Sequence, residues 1–140
     1  MVNRKVAIVM GSQSDSETVK EATEILKQFN VPYAAKVLSA HRTPKEVEAF
    51  VTDAQRSGVK VFIAAAGGSA ALAGVIASHT TLPVIGIPME TSNLNGMDSL
   101  LSTVQMPAGI PVASMAIGKA GAKNAGLFAV AILSVSDAAL

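Results

Sequence analysis

The sequence predicts an α/β protein in which helices cover both faces of a doubly wound, parallel, five-stranded sheet, giving three layers. Short β-branched runs alternate with longer helical runs five times along the chain. The first of these runs is apolar at nearly every position, which is typical of a parallel strand buried on both faces. A length of 140 residues, with 50% hydrophobic residues, suits a single domain around one core.

The strands are predicted where β-branched and small apolar residues stand between turn residues. They are placed at 5–10, 33–38, 59–66, 83–87 and 112–117. Each predicted strand is followed by a helix, so the connections are crossovers and the strands run parallel.

The helices are predicted from apolar residues at three- and four-residue spacing and from their capping signals. The first begins after Ser14 or Asp15 and ends at about residue 29, and the second covers 45–57. The third runs from Ser69 to about residue 79, the fourth covers 99–104, and the fifth runs from 119 to about 134. Ser14 or Asp15 is expected to cap the first helix, and Asp98 the fourth. Thr43 is expected to cap the second, with Pro44 at its first position.

Composition excludes several classes of protein. Only 15% of the residues are charged, so the chain is not intrinsically disordered, and a net charge of +1 gives no electrostatic reason to expect nucleic-acid binding. The absence of cysteine excludes a disulfide scaffold and a thiolate metal site. No secretory or membrane-spanning segment is predicted, so the expected location is the cytoplasm. A small chain this apolar also predicts a homo-oligomer, with a densely packed monomer as the alternative.

Three loops are expected to meet at the carboxyl edge of the sheet, where ligands bind in this architecture. Residues 11–15 offer hydroxyls and backbone amides at a helix N-terminus, which favours an anion, although a simple helix cap is the alternative. Residues 39–44 contain His41 and Arg42, which could transfer a proton and hold a phosphate, or could be solvated side chains of a capping loop. Residues 66–71 offer a glycine-rich surface, or only a tight turn.

Taken together and in this order, the motifs resemble one family over nearly the whole chain. They are Gly11-Ser12-x-Ser14-Asp15, Ser39-Ala-His41-Arg42-Thr43-Pro44, Ala66-Gly67-Gly68, Asp98-Ser99-Leu100, Val104-Gln105-Met106-Pro107-x-Gly109 and Ala116-Ile-Gly118-x-Ala120-Gly121-Ala122-x-Asn124-Ala125. The sequence is similar to the 5-(carboxyamino)imidazole ribonucleotide mutases of purine biosynthesis, also called the catalytic subunit of phosphoribosylaminoimidazole carboxylase.

The resemblance implies a flavodoxin-like fold and an isomerase that moves a carboxylate from the exocyclic nitrogen of the ribonucleotide to carbon 4, through CO2. It implies a ribonucleotide and CO2 as ligands, no cofactor and no metal, and a homo-octamer. It also implies that 1–140 form a single catalytic domain that lacks the polar C-terminal helix usual in the family.

By the same resemblance, His41 is the catalytic residue that shuttles the proton. The substrate-binding residues implied are Ser12, Ser14, Asp15, Ser39, Arg42, Ala66, Gly67, Gly68, Ser69 and Leu72. Among these, Arg42 and three serines would hold the 5′-phosphate, namely Ser12, Ser14 and Ser39. Asp15 would bind the ribose hydroxyls, and the glycine loop at 67–69 would lie against the imidazole and its carboxylate.

One loop departs from the mutase pattern. Mutases carry Ala-Ala-His-Leu-Pro-Gly after the glycine pair, whereas this chain has Ser69-Ala70-Ala71-Leu72-Ala73-Gly74. Here the sequence resembles the sister class of lyases, which carboxylate aminoimidazole ribonucleotide directly with CO2, so direct carboxylation is the alternative activity. A non-catalytic nucleotide-binding module is a more remote alternative, because it leaves His41 and Arg42 without a role.

Overall fold

Five parallel strands form one sheet, in the order β2, β1, β3, β4, β5, in a computed structural model that describes residues 3–140. The strands are β1 Val6–Met10, β2 Tyr33–Val37, β3 Val61–Ala66, β4 Val84–Pro88 and β5 Ala113–Ser114. The helices are α1 Ser16–Gln28, α2 Pro44–Arg56, α3 Leu72–Ser78, α4 Met97–Val104 and α5 Lys119–Ser134. This arrangement confirms the predicted fold class. None of the helices in the described part of the chain is long and apolar enough to span a membrane.

Helices on both faces of the sheet divide the interior into two cores. Val6 and Ile8 of β1 face α1 and α5, whereas Ala7 and Val9 face α2 and α3. All residues of β1 are buried, because this strand lies between β2 and β3 and both of its faces are covered. The continuous apolar run in the sequence therefore reflects a central parallel strand, as predicted.

The register of the sheet brings the ends of three strands together. Met10, the last residue of β1, pairs with Val37 of β2 on one side and with Ala65 of β3 on the other. The loops that follow these three strands consequently begin side by side at one edge of the sheet.

The fifth strand is shorter than the predicted 112–117. Only Ala113 and Ser114 pair with β4, and the ladder stops where β4 reaches Pro88. Proline has no N–H with which to continue a parallel ladder. The chain still runs beside β4, because the Gly118 N–H donates to the Pro88 carbonyl at 2.9 Å.

Two helix starts also differ from the prediction. The third helix begins at Leu72 rather than at Ser69, because the preceding residues are held as a loop by side chains of α4. The fourth begins at Met97 after Gly96, whose φ of +88° is a left-handed conformation that glycine adopts without strain. Asp98 is thus in the first turn of α4 and is not its N-cap.

A glycine of α5 lets this helix approach α1 closely. A Cβ at Gly126 would lie 2.8 Å from the Ala22 carbonyl oxygen and 2.9 Å from Ile25 Cβ. The Gly126→Ala variant is expected to lose about 1–3 kcal/mol of unfolding free energy, because the backbone of α1 would have to move. Denaturant unfolding followed by circular dichroism measures this loss.

Gly74→Ala is the matched control for that variant. A Cβ at Gly74 of α3 would meet only the end of the Met106 side chain, at 3.0 Å, and this flexible side chain can shift. Alanine is favoured over glycine inside a helix by about 1 kcal/mol, so Gly74→Ala should be neutral or slightly stabilising. Equal losses in the two variants would contradict the role given to the contact between α1 and α5.

Candidate active site

A cavity of about 340 Å³ opens at the carboxyl edge of the sheet, where the loops after β1, β2 and β3 meet. Among the residues predicted from the sequence, those that line it are Ser12, Asp15, Ser39, His41, Arg42, Ala66, Gly67, Ser69 and Leu72. Ser14 and Gly68 were also predicted but do not line it. Gly11, Ala40 and Ala71 line it as well. Gly11 and Ala40 stand inside the quoted motifs, and Ala71 stands in the segment 69–74 that departs from the mutase pattern, so their position in the loops was the signal that could have identified them.

The first loop is ordered by a serine cap. Ser12 is the N-cap of a 3-10 turn, Gln13–Asp15, and its Oγ accepts a hydrogen bond from the Ser14 N–H at 3.3 Å. The Ser12 and Ser14 hydroxyls are also 2.9 Å apart, and Ser14 does not line the cavity. Asp15 occupies the N-cap position of α1, as one of the two predicted residues, but its side chain makes no capping hydrogen bond.

Asp15 is the acidic group of the cavity. Burial against the loop raises the pKa of its carboxyl above the ordinary value, and a hydrogen bond with the Ser12 backbone offsets part of that rise. A partly desolvated carboxylate gains from hydrogen-bond donors that a ligand brings, such as hydroxyl groups.

Asp15→Asn is expected to be more stable than the unmodified protein at neutral pH. The raised pKa means that the folded state penalises the charged carboxyl, and this penalty is complete only above the folded-state pKa. It disappears below the ordinary pKa of about 3.9, where the carboxyl is protonated in both states. The urea midpoints of Asp15→Asn and of the unmodified protein should therefore converge as the pH falls from neutral to below that ordinary pKa. Asp53→Asn, at an exposed position of α2, is the control, and a difference that does not change with pH would refute the explanation.

The second loop closes on itself through Thr43. The Thr43 hydroxyl accepts a hydrogen bond from the Ser39 N–H at 2.9 Å and lies 3.1 Å from the Ser39 carbonyl, to which it donates. The Arg42 N–H donates to Ser39 Oγ at 3.1 Å. Thr43 occupies the N-cap position of α2 and Pro44 the first helical position, as predicted, but the hydroxyl binds the loop and not the helix. This turn leaves His41 and Arg42 exposed beside the cavity.

The third loop presents backbone to the cavity. Gly67 lies so close to the segment after β4 that a Cβ there would be 3.3 Å from Met89 Cβ. Gly68 has a φ of +70°, and its N–H donates to Ser99 Oγ at 3.0 Å. Because this hydrogen bond points away from the cavity, Gly68 does not line the cavity, whereas its neighbours Gly67 and Ser69 do.

The other histidine lies away from this cavity. His79 is the C-cap of α3 and lines a separate cavity with Gln55 and Pro111. Asp98 also lies outside the candidate site, where its Oδ1 accepts a hydrogen bond from Thr91 Oγ1 at 2.6 Å. Within residues 3–140, no group of three or more His, Asp or Glu side chains is arranged to hold a metal ion.

The fold and the site together define a class: a parallel α/β protein with a cavity at the carboxyl edge of its sheet, lined by the start of a helix, an arginine and one histidine. A model of the AIR carboxylase family matches residues 5–140, and the chain belongs to that family.

Relatives and solved structures agree with this membership. The N5-carboxyaminoimidazole ribonucleotide mutase of Bacillus subtilis is 59% identical over 94% of this chain and 82% of its own length. The enzyme of the same name from Saccharolobus solfataricus is 56% identical over 94% of this chain and 82% of its own length. The crystal structure of Treponema denticola PurE superimposes with a TM-score of 0.87 at 31% identity, covering 97% of this chain and 84% of that one.

Proposed function

We propose that this protein is an N5-carboxyaminoimidazole ribonucleotide mutase that interconverts its substrate with 4-carboxy-5-aminoimidazole ribonucleotide in purine biosynthesis. The observation that carries the proposal is the cavity that His41 lines together with residues of the first loop and of the glycine loop. Its volume of about 340 Å³ is in the range of small-molecule sites. The curated relatives at 53–59% identity are mutases by name.

The phosphate end of the ribonucleotide is assigned to the first two loops. Ser12 and Ser39 supply hydroxyls, and Arg42 supplies a guanidinium that binds phosphate in a bidentate manner. Ser14 takes part through its hydroxyl contact with Ser12, which orients that side chain. Asp15 accepts hydrogen bonds from the ribose hydroxyls.

The base end is assigned to the third loop. Ala66, Gly67, Ser69 and Leu72 form a surface on which a flat imidazole and its carboxylate can lie. Glycine at position 67 has no side chain that would hold the ring away from the backbone.

His41 performs the proton transfers. The bond between the exocyclic nitrogen and the carboxylate carbon breaks, CO2 leaves, and the nitrogen takes a proton from the imidazolium of His41. Carbon 4 then attacks CO2, and the neutral imidazole removes the proton from that carbon. The proton lost in the first step is regained in the second, so the cycle needs no further reactant. CO2 has to remain in the cavity between the steps. The closeness of CO2 to carbon 4 is therefore the main source of the rate enhancement.

The protein is also proposed to act as a homo-oligomer, and as an octamer by resemblance to its family. Met97, Leu101 and Val104 form one face of α4, and each is 44–52% exposed in the single chain. Burying such an apolar face against another subunit is favourable. Native mass spectrometry of the purified protein should show one dominant assembly and little monomer.

Two substrates assayed in parallel test the proposed activity. One is the carboxyamino ribonucleotide, and the other is aminoimidazole ribonucleotide with bicarbonate, each followed by the absorbance of the 4-carboxy product. Fast turnover of the first alone is expected. Efficient turnover of the second at modest bicarbonate would instead identify a direct carboxylase, and Ala71, which lines the cavity in place of the mutase histidine, would be the reason.

A further inference from the structure

Two serine side chains of α4 hold the glycine loop from outside the cavity. The Gly68 N–H donates to Ser99 Oγ at 3.0 Å, and the Ala70 N–H donates to Ser102 Oγ at 2.8 Å. Ser99 is fully buried. Neither serine lines the cavity, so both act on the loop and not on a ligand.

The residues held by these serines alternate with the residues that line the cavity. Gly68 and Ala70 are bonded to α4, whereas Gly67, Ser69 and Ala71 line the cavity. Hydrogen bonds at every second residue fix which residues of the loop face a ligand.

The start of α4, which carries the two serines, is itself tied to the segment after β4. The Thr91 hydroxyl donates to Asp98 Oδ1 at 2.6 Å and accepts from the Gly96 N–H at 2.9 Å. A Cβ at Gly67 would lie 3.6 Å from Thr91 Cγ2 and 3.7 Å from Ser99 Oγ, so the loop lies directly against these groups. The loop therefore packs against a helix whose own start is hydrogen-bonded to the segment after β4.

We infer that Ser99 and Ser102 are positioning residues for the reaction, an inference that rests on the proposed function. They hold the glycine loop at the depth at which the imidazole and CO2 can react. Displacing a reactant by about 1 Å can cost up to about a hundredfold in rate. The phosphate is assigned to the other two loops, so loss of the serines should lower kcat and leave KM nearly unchanged.

Four variants test this inference with the two-substrate assay. Ser99→Ala and Ser102→Ala should each lower kcat about tenfold or more, with KM changed by less than about threefold. Ser102→Thr keeps the hydroxyl on the same helix and should recover most of kcat. Thr103→Val is the matched control: it removes a buried hydroxyl of α4 that donates to the Ser99 carbonyl at 2.7 Å and does not touch the loop. It should keep kcat within about twofold, since it removes a bond within the helix only.

Hydrogen–deuterium exchange separates this inference from the proposed function, because it needs no substrate. Loss of one hydrogen bond should speed exchange about fivefold or more, at Gly68 in Ser99→Ala and at Ala70 in Ser102→Ala. Unchanged exchange at these amides would overturn the hydrogen bonding itself. Faster exchange with kcat intact would overturn the positioning role. An unmodified protein without turnover of the carboxyamino substrate would refute the proposed function, whatever the exchange shows.

Discussion

Replacing His41 with asparagine is expected to lower kcat by about a thousandfold while the ribonucleotide still binds. General acid–base catalysis by one positioned side chain contributes about 10²–10⁴-fold, and His41 is the histidine that lines the cavity. Asparagine fills a similar space and can hydrogen bond, but it cannot carry a proton between nitrogen and carbon near neutral pH. Absorbance of the 4-carboxy product gives kcat, and titration calorimetry with that product gives its Kd.

The chain offers a matched control for this variant. His79 is the other of the two histidines and lies in a separate cavity, so His79→Asn should retain the unmodified rate. Turnover by His41→Asn at the unmodified rate would refute the assignment of the proton transfers. A loss of binding equal to the loss of rate would make His41 a binding residue only.

Replacing Arg42 with alanine is expected to weaken ribonucleotide binding about 10- to 100-fold, with a smaller change in kcat. A hydrogen bond to a charged group contributes about 1.5–3 kcal/mol, and Arg42 is assigned to the phosphate, away from the reacting atoms. The weakening should be smaller at high salt, because the guanidinium is exposed and salt screens its charge. Calorimetry with the 4-carboxy product and with its dephosphorylated nucleoside measures the effect.

Two comparisons distinguish a phosphate contact from a general loss of positive charge. Arg56→Ala removes an exposed guanidinium at the end of α2, outside the cavity, and should leave Kd unchanged. The nucleoside, which has no phosphate, should bind Arg42→Ala and the unmodified protein equally. If the unmodified protein bound nucleotide and nucleoside with the same affinity, the role of Arg42 would be wrong.

Local patterns predicted most of the fold because they report burial and backbone geometry directly. The apolar run of β1 indicated a strand covered on both faces, and Pro44 marked the start of α2. The boundaries that failed depended on distant partners. Ser69 was predicted to start the third helix, but the serines of α4 hold its two neighbours, Gly68 and Ala70, in a loop. The strand β5 stops because the neighbouring strand has a proline.

The features of the candidate site also fall into those that local sequence predicts and those that depend on distant partners. Sequence patterns alone predicted that three loops rich in glycine, serine and charged residues follow the first three strands, and strand order in a parallel sheet places such loops at one edge. Three details depend on the folded chain: Ser14 is hydrogen-bonded to Ser12, Gly68 is hydrogen-bonded to Ser99, and Ala71 lines the cavity. The physical reason is that a hydrogen bond selects one partner among several groups within reach. Ser99 and Gly68 are 31 residues apart in the chain, and only folding brings them to 3.0 Å.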